Sequence, residues 1–315
     1  MSILSRIQTT IRVGIQRGFR AGIGALALGC AMAGLFPPAA QARPIDFEGL
    51  QIDVRGPADG RPVLMIPGLN SAAAVWDQTC AALIEQSQVQ CHIVNLPGFA
   101  GVPAMADDQP FLDHQAKRLL RYVEQEQLKR PVLMGHSLGG VVGLLVARAE
   151  PKALSQLVIV DSLPFFPAAM NPAATAEMVN PMAEGMREGM QAATPEAYGK
   201  QLEAALRGMS NQPERLETLK GWGHASDRAT TTQAMYEMFS RDLRADLAEV
   251  RTPTLVLGSW AAYKPMGSTE ESTRKIFTDQ YAKLEGVDVR MAPTGYHFLM
   301  WDDQEWLLEQ VKSVL

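Results

Sequence analysis

The sequence has few cysteines: three in 315 residues, at positions 30, 80 and 91. That excludes a fold built on a disulfide framework, and no cysteine and histidine group has the spacing of a metal site, so no metal is expected. Internal repeats and low-complexity tracts are also lacking after residue 43, which excludes a repeat architecture. Basic charge is scarce in the body of the chain. The first 42 residues hold four of the 29 basic side chains and none of the 34 acidic ones, so the remainder has a net charge of −9 with histidine neutral. Nucleic-acid binding is disfavoured. What remains is an ordinary globular composition, 47% apolar and 20% charged, long enough for one large core with an inserted subdomain.

The first 42 residues read as a secretory signal rather than as part of the fold. Arg6, Arg12, Arg17 and Arg20 precede the apolar stretch "AGIGALALGCAMAGLF", which ends at the small residues of "PPAAQA". Ala40 and Ala42 suit a signal peptidase, so cleavage after Ala42 is expected. The stretch is slightly short for a bilayer span, and no stable membrane insertion is expected after cleavage. "ALGC", ending at Cys30, resembles a lipobox only loosely, because Leu28 is bulkier than that pattern prefers. A periplasmic or secreted location follows. In an oxidising compartment a disulfide between Cys80 and Cys91 is allowed, although spacing alone does not show bonding geometry.

Past residue 43 the hydrophobic periodicity alternates. Strands are expected at 50–54, 63–66, 91–96, 131–134 and 157–160, with helices at about 73–86, 111–127 and 138–149. Such alternation implies a mainly parallel sheet with helices on both faces. Residues 162–248 break the pattern. They hold no convincing strand and several helix starts, at Asn171-Pro172, Asn180-Pro181, Thr194-Pro195 and Ser226. Beyond them come a strand at 254–257, a helix opened by a capping box from Ser268 to Glu271, a strand at 287–291 and a final helix at 303–314. The domains are therefore a core of 43–161 and 249–315 around a helical insert of 162–248.

One corner of this pattern carries chemistry. In "PVLMGHSLGGVVGLLVARAEP", residues 131–151, a short apolar strand stops at a serine between glycines and restarts as a helix. Gly135 to Gly139 fit the nucleophile elbow G-x-S-x-G, which lifts the Ser137 hydroxyl out of the sheet. A serine needs a base and an acid that orients it, in the chain order serine, carboxylate, histidine. Of the five histidines only His297, in "PTGYHFLMWDD", follows the last strand in a glycine-bearing loop. His136 lies inside the elbow, directed away from the serine's side; His92 opens a strand, His114 sits in a helix and His224 in the insert. The acid is less plain, because "GSWAAYK" after the strand at 254–257 contains none. Asp161, directly after the preceding strand, is the candidate, with Asp227 in "HASDRATT" as runner-up. Asp302 and Asp303 follow His297 and would reverse the order.

From about Leu50 to Leu315 the chain resembles the α/β-hydrolase superfamily, in "IPGLNSAAAVWD", "NLPGFAGVP", "GHSLGG" and "GYHFLMWDD". The resemblance implies an α/β fold, a mainly parallel sheet flanked by helices, with a helical cap inserted after the sixth strand. It also implies an oxyanion hole from the backbone N–H groups of Leu69 and Leu138. Pro67 stands where many members have a histidine, which leaves the backbone donor intact. Some members carry the acid after the preceding strand, as Asp161 would. The serine at the elbow argues for acyl transfer to water, without a cofactor, on a small-molecule ester. Lactone, thioester, amide or carbon-carbon bond hydrolysis are variants of the same triad, and a ligand-binding protein without useful turnover is the rival. The insert is rich in methionine, with Met182, Met186 and Met190 at four-residue spacing. A substrate pocket over Ser137 is expected from Asn70, Phe165, Phe166, Met182 and Met186, suited to an uncharged, fairly apolar group. The same methionine stripe would also serve simply to pack the insert on the core.

Overall fold

The apolar runs of the sequence become the strands of one eight-stranded sheet with the order β1-β2-β4-β3-β5-β6-β7-β8. The computed structural model describes residues 43–106 and 110–315, so the leader at 1–42, Cys30 included, lies outside the described residues. The strands are β1 (Arg43–Phe47), β2 (Leu50–Arg55), β3 (Arg61–Ile66), β4 (Val89–Asn95), β5 (Val132–His136), β6 (Gln156–Val160), β7 (Thr254–Gly258) and β8 (Asp288–Met291). From β4 to β8 every neighbouring pair is parallel, while β1 and β2 add antiparallel partners at one edge. Every residue of β5, β6 and β7 is buried, which is why these strands read as unbroken apolar runs instead of alternating ones.

The periodicity did not reveal β1. Its sequence, RPIDF, carries charge and a proline, as an edge strand tolerates. It pairs with β2 through a two-residue turn at Glu48 and Gly49, both with positive φ, the geometry that matches the twist of a hairpin. With β1 counted, β6 is the sixth strand.

Helices cover both faces. On one side α2 (Phe111–Gln125), α3 (Leu138–Ala149) and α8 (Glu270–Gln280) pack on the sheet through Leu119, Val142 and Phe277. On the other, α1 (Asp77–Ser87), α9 (Leu299–Asp302) and α10 (Gln304–Lys312) do so through Leu83, Leu299 and Leu307. The disulfide allowed between Cys80 and Cys91 is not formed. Both are buried free thiols, and Cys91 Sγ lies 3.8 Å from the Cys80 carbonyl oxygen. The shared contact with Cys80, followed by burial, raises the Cys91 thiol well above its ordinary range.

Between β6 and β7 the chain forms four helices, α4 (Ala176–Ala192), α5 (Pro195–Ala205), α6 (Pro213–Ala225) and α7 (Arg228–Ser240). Thr194 caps α5 as expected, its hydroxyl accepting from Ala197 N at 3.2 Å. Three expected starts are corrected. Asn171-Pro172 makes only a turn, closed by Ala174 N donating to Asn171 O at 2.8 Å. Pro181 lies inside α4, because Thr175 caps that helix earlier; lacking an N–H, Pro181 leaves the Glu177 carbonyl without its helical donor. Ser226 ends α6, and Asp227 is the residue that opens α7. The capping box of α8 is likewise displaced, formed by Thr269 and Ser272. Among the described residues no helix is long and apolar enough to cross a membrane.

Candidate active site

The corner between β5 and α3 is as tight as the sequence implies. Ser137 has φ +52° and ψ −118°, a conformation held by its N–H donating to Val160 O at 2.9 Å. A Cβ on Gly135 would stand 2.2 Å from the Gly139 carbonyl oxygen, and one on Gly139 would stand 2.4 Å from Ile66 O. The backbones of strand, helix and neighbouring loop therefore cross with no room for a methyl group. The loop after β3 also leans on the serine, since a Cβ on Gly68 would lie 3.1 Å from Ser137 Cβ. That contact brings Leu69 to the elbow. Among the described residues the Leu69 N–H donates to no backbone acceptor. Leu138 is the first residue of α3, where helical N–H groups have no intrahelical partner. Ser137 itself is half-buried, so its hydroxyl is reachable.

His297 and Asp161 are joined across the carboxyl edge of the sheet. His297 Nδ1 donates to Asp161 Oδ2 at 2.6 Å, with the two side chains 22% and 11% exposed. Because an ionised carboxylate only accepts, this pair fixes the proton on Nδ1 and leaves Nε2 as the lone-pair nitrogen of the neutral ring. Asp161 has φ +46° at the end of β6, and its N–H donates to Leu257 O at 2.7 Å. No hydrogen bond joins Ser137 Oγ to His297 among the described residues. The His297 ring nonetheless lies 4.6 Å from that of His136, the serine's own neighbour, tilted by 51° to it.

Two further residues escaped the sequence reading. Ser259, 2% exposed at the end of β7, donates its N–H to Asp161 Oδ1 and its hydroxyl to Oδ2. It sits in the segment that lacks an acid, and that departure was the available signal. His136, read as directed away from the serine, is fully buried between the rings of His297 and Phe298. Its Nε2 donates to the His297 carbonyl oxygen at 3.0 Å. Burial, followed by the neighbouring His297, holds His136 well below the ordinary histidine range, so it stays neutral.

Asp227, the runner-up acid, is a helix cap. Its Oδ1 accepts from the N–H and the hydroxyl of Thr230 at 2.8 and 2.7 Å. Asp303 Oδ2 accepts from the Thr294 and Gly295 N–H groups and so shapes the loop ahead of His297. The other histidines stand apart: His92 is buried against Tyr122, and His224 is paired at the surface with Glu203.

The residues expected to line a pocket differ in exposure and in the elements that carry them. Asn70, φ +56°, follows Leu69, and its side-chain oxygen accepts from Thr231 Oγ1 at 2.7 Å, tying the loop to α7. Phe165 is fully buried with Ala168, Ala174 and Val179, beneath the Arg244 guanidinium. Phe166 is about half exposed and meets the Phe239 ring. Along α4 the methionine stripe runs from solvent inward, with Met182 exposed, Met186 half-buried and Met190 buried. No group of residues suited to holding a metal ion occurs among the described residues.

A family model described as the alpha/beta hydrolase family matches residues 63–310. A pimeloyl-[acyl-carrier protein] methyl ester esterase of Vibrio atlanticus is 28% identical over 242 residues, 70% of this chain and 85% of that one. A protein named putative carbamate hydrolase RutD, of Variovorax paradoxus, is 34% identical over 113 residues, 36% of this chain; the match spans 42% of that relative's length. Among solved structures, the esterase EaEST of Exiguobacterium antarcticum superposes with a TM-score of 0.69 at 17% identity, covering 87% of this chain and 98% of that one. The enol-lactonase of Burkholderia xenovorans gives 0.67 at 14% identity, covering 86% and 99%. Both share the fold.

Proposed function

The chain belongs to the alpha/beta hydrolase family, and from that premise we propose that it is a serine hydrolase acting by acyl transfer to water on a small to medium, fairly apolar carboxylic ester. The observation that carries this reading is the 2.6 Å hydrogen bond from His297 Nδ1 to Asp161, beside a serine held at a strained strand-to-helix corner. In the proposed mechanism Ser137 Oγ attacks the ester carbonyl while His297 Nε2 takes the hydroxyl proton. Asp161 holds the ring in the tautomer that leaves Nε2 free and stabilises the imidazolium as it forms. The oxyanion of the tetrahedral intermediate is met by the N–H groups of Leu69 and Leu138. His297 returns its proton to the departing alcohol, then activates the water that hydrolyses the acyl-enzyme. The balance is ester plus water to acid plus alcohol.

The relative named as a methyl ester esterase supports the choice of ester over other acyl groups. The four helices between β6 and β7 act in this reading as a cap over the serine. Export is part of the proposal: cleavage after Ala42 leaves β1 whole and delivers a mature chain beginning at Arg43 to the periplasm or the medium. A fluorophosphonate probe, together with a panel of p-nitrophenyl esters, lactones and amides, tests the chemistry. Labelling of the mature protein that is abolished in Ser137→Ala supports the reading; an unlabelled wild type refutes it. Mass spectrometry of the native protein tests export, and an intact Met1 would refute that part.

A further inference from the structure

The helical insert grips the histidine loop on both sides of His297. Between α5 and α6 the segment Met209–Gln212 runs alongside the loop and α9. The N–H of Phe298, the residue after the base, donates to Met209 O at 3.1 Å. The N–H of Tyr296, the residue before it, donates to Asp302 Oδ2 at 3.1 Å. The same carboxylate takes two more hydrogen bonds from the insert, one from the Ser210 hydroxyl to Oδ1 at 2.6 Å and one from Asn211 N to Oδ2 at 3.1 Å. Gln212 Nε2 completes the seam by donating to Trp301 O at 2.7 Å. Ser210 is 5% exposed, so its pairing with Asp302 is shielded from water. A charge-assisted hydrogen bond of that kind resists exchange with solvent more than a surface pair does.

We propose that Asp302 is a positioning residue for His297, and that the insert's α5–α6 connection holds the catalytic base in register through it. The side-chain functions of the base are already taken: Nδ1 is committed to Asp161, and Nε2 is kept for proton transfer. Its placement therefore depends on its backbone. His136 fixes the His297 carbonyl from the core side, while Asp302 and Met209 fix the flanking N–H groups from the insert side. An aromatic column runs alongside. Phe298 stacks on Trp301 at 5.0 Å, and Trp301 meets Trp222 of α6 at 5.8 Å. The insert is thus part of the apparatus that aims the base, and its α5–α6 end is fixed to the core.

The inference rests on the reading of His297 as a base, yet it has a readout that does not require turnover. Proton NMR of the wild type should show a far-downfield Nδ1–H signal from the His297–Asp161 hydrogen bond. In Asp302→Ala and Ser210→Ala that signal should shift or broaden, whereas in Asp302→Asn, which keeps an acceptor for the Tyr296 N–H, it should lie closer to wild type. On an ester substrate Asp302→Ala should lower kcat about tenfold to a hundredfold with KM little changed, with partial recovery in Asp302→Asn. If Asp302→Ala does not fold, an unchanged Nδ1–H signal in Ser210→Ala, which loses the hydrogen bond to Asp302 Oδ1, would overturn the proposal. So would a folded Asp302→Ala with wild-type signal and kcat and only a lower Tm. Absence of probe labelling in the wild type would refute the proposed function and leave the NMR comparison standing as the test of Asp302.

Discussion

Ser259 donates to both oxygens of Asp161, its N–H to Oδ1 at 2.7 Å and its hydroxyl to Oδ2 at 2.8 Å. The two residues end adjacent strands, β7 and β6, so the serine holds from the side a carboxylate that the neighbouring strand supplies. Oδ2 also accepts from His297, and the hydroxyl therefore shares the oxygen to which that ring is bound.

Ser259→Ala should keep the backbone hydrogen bond and lose the hydroxyl one. A hydrogen bond to a charged group is worth about 1.5–3 kcal/mol, and part of that will be recovered by water or by rotation of the carboxylate. The expected result is a fall in kcat of about tenfold with KM nearly unchanged, read by steady-state kinetics on the best ester found. A wild-type kcat would show that Ser259 does not help hold the acid.

Ser137→Ala and His297→Ala should each lower kcat by several orders of magnitude, and by about as much singly as together, because such groups act as one unit. Circular dichroism and Tm should remain close to wild type. Near-normal turnover in either variant would remove it from the mechanism.

The central strands and the tight corner at Ser137 were legible because each is dictated locally. Strands buried on both faces must be continuously apolar, and Gly135 and Gly139 must lack a Cβ where backbones cross. The edge strand β1 escaped because pairing at an edge imposes no hydrophobic pattern on RPIDF. Ser259 and Asp302 escaped for a different reason. Their roles arise from contacts 98 and 92 residues apart in sequence, with Asp161 and Ser210, and no local periodicity encodes such a meeting. The four-residue spacing of the α4 methionines encodes a common helical face and not burial, which runs from exposed Met182 through half-buried Met186 to buried Met190.

Acid should destabilise the fold through His92. Its ring is buried in β4, with Nδ1 2.8 Å from the Tyr122 hydroxyl and Nε2 3.1 Å from Gln90 Oε1, and burial lowers its pKa to about 4. In the unfolded chain the same group titrates near 6.5. Its contribution is therefore full above about pH 6.5 and is lost as the pH falls toward 4, where the unfolded state binds a proton that the folded state refuses, a term of up to about 3 kcal/mol. His136, also held low by burial, adds in the same direction. Urea midpoints between pH 7 and 4.5 should fall more steeply for wild type than for His92→Gln, whose difference isolates this residue. Parallel curves would refute the assignment.

The comparison between Asp161 and Asp227 is the sharpest test of the site. Both carboxylates precede His297 in the chain, both end or begin an element, and both accept two hydrogen bonds from a nearby hydroxyamino acid. Only Asp161 also accepts from His297. Asp161→Asn keeps a hydrogen bond to Nδ1 within reach but favours the tautomer with its proton on Nε2, where it blocks uptake from Ser137; the expected loss is up to about four orders of magnitude in kcat. Asp227→Asn replaces one good helix cap by another, and Asp227→Ala removes it, lowering stability by about 1 kcal/mol, or roughly 2–4 °C in Tm for a chain of this size. Turnover should survive both changes at position 227. Loss of kcat in Asp227→Asn, with Asp161→Asn losing only stability, would place the acid in the insert and require α7 to move until Asp227 reached His297. Such a movement would break the hydrogen bond by which Asp227 N donates to Gly98 O at 2.7 Å, as well as the one that ties Thr231 to Asn70. The site described here needs neither rearrangement.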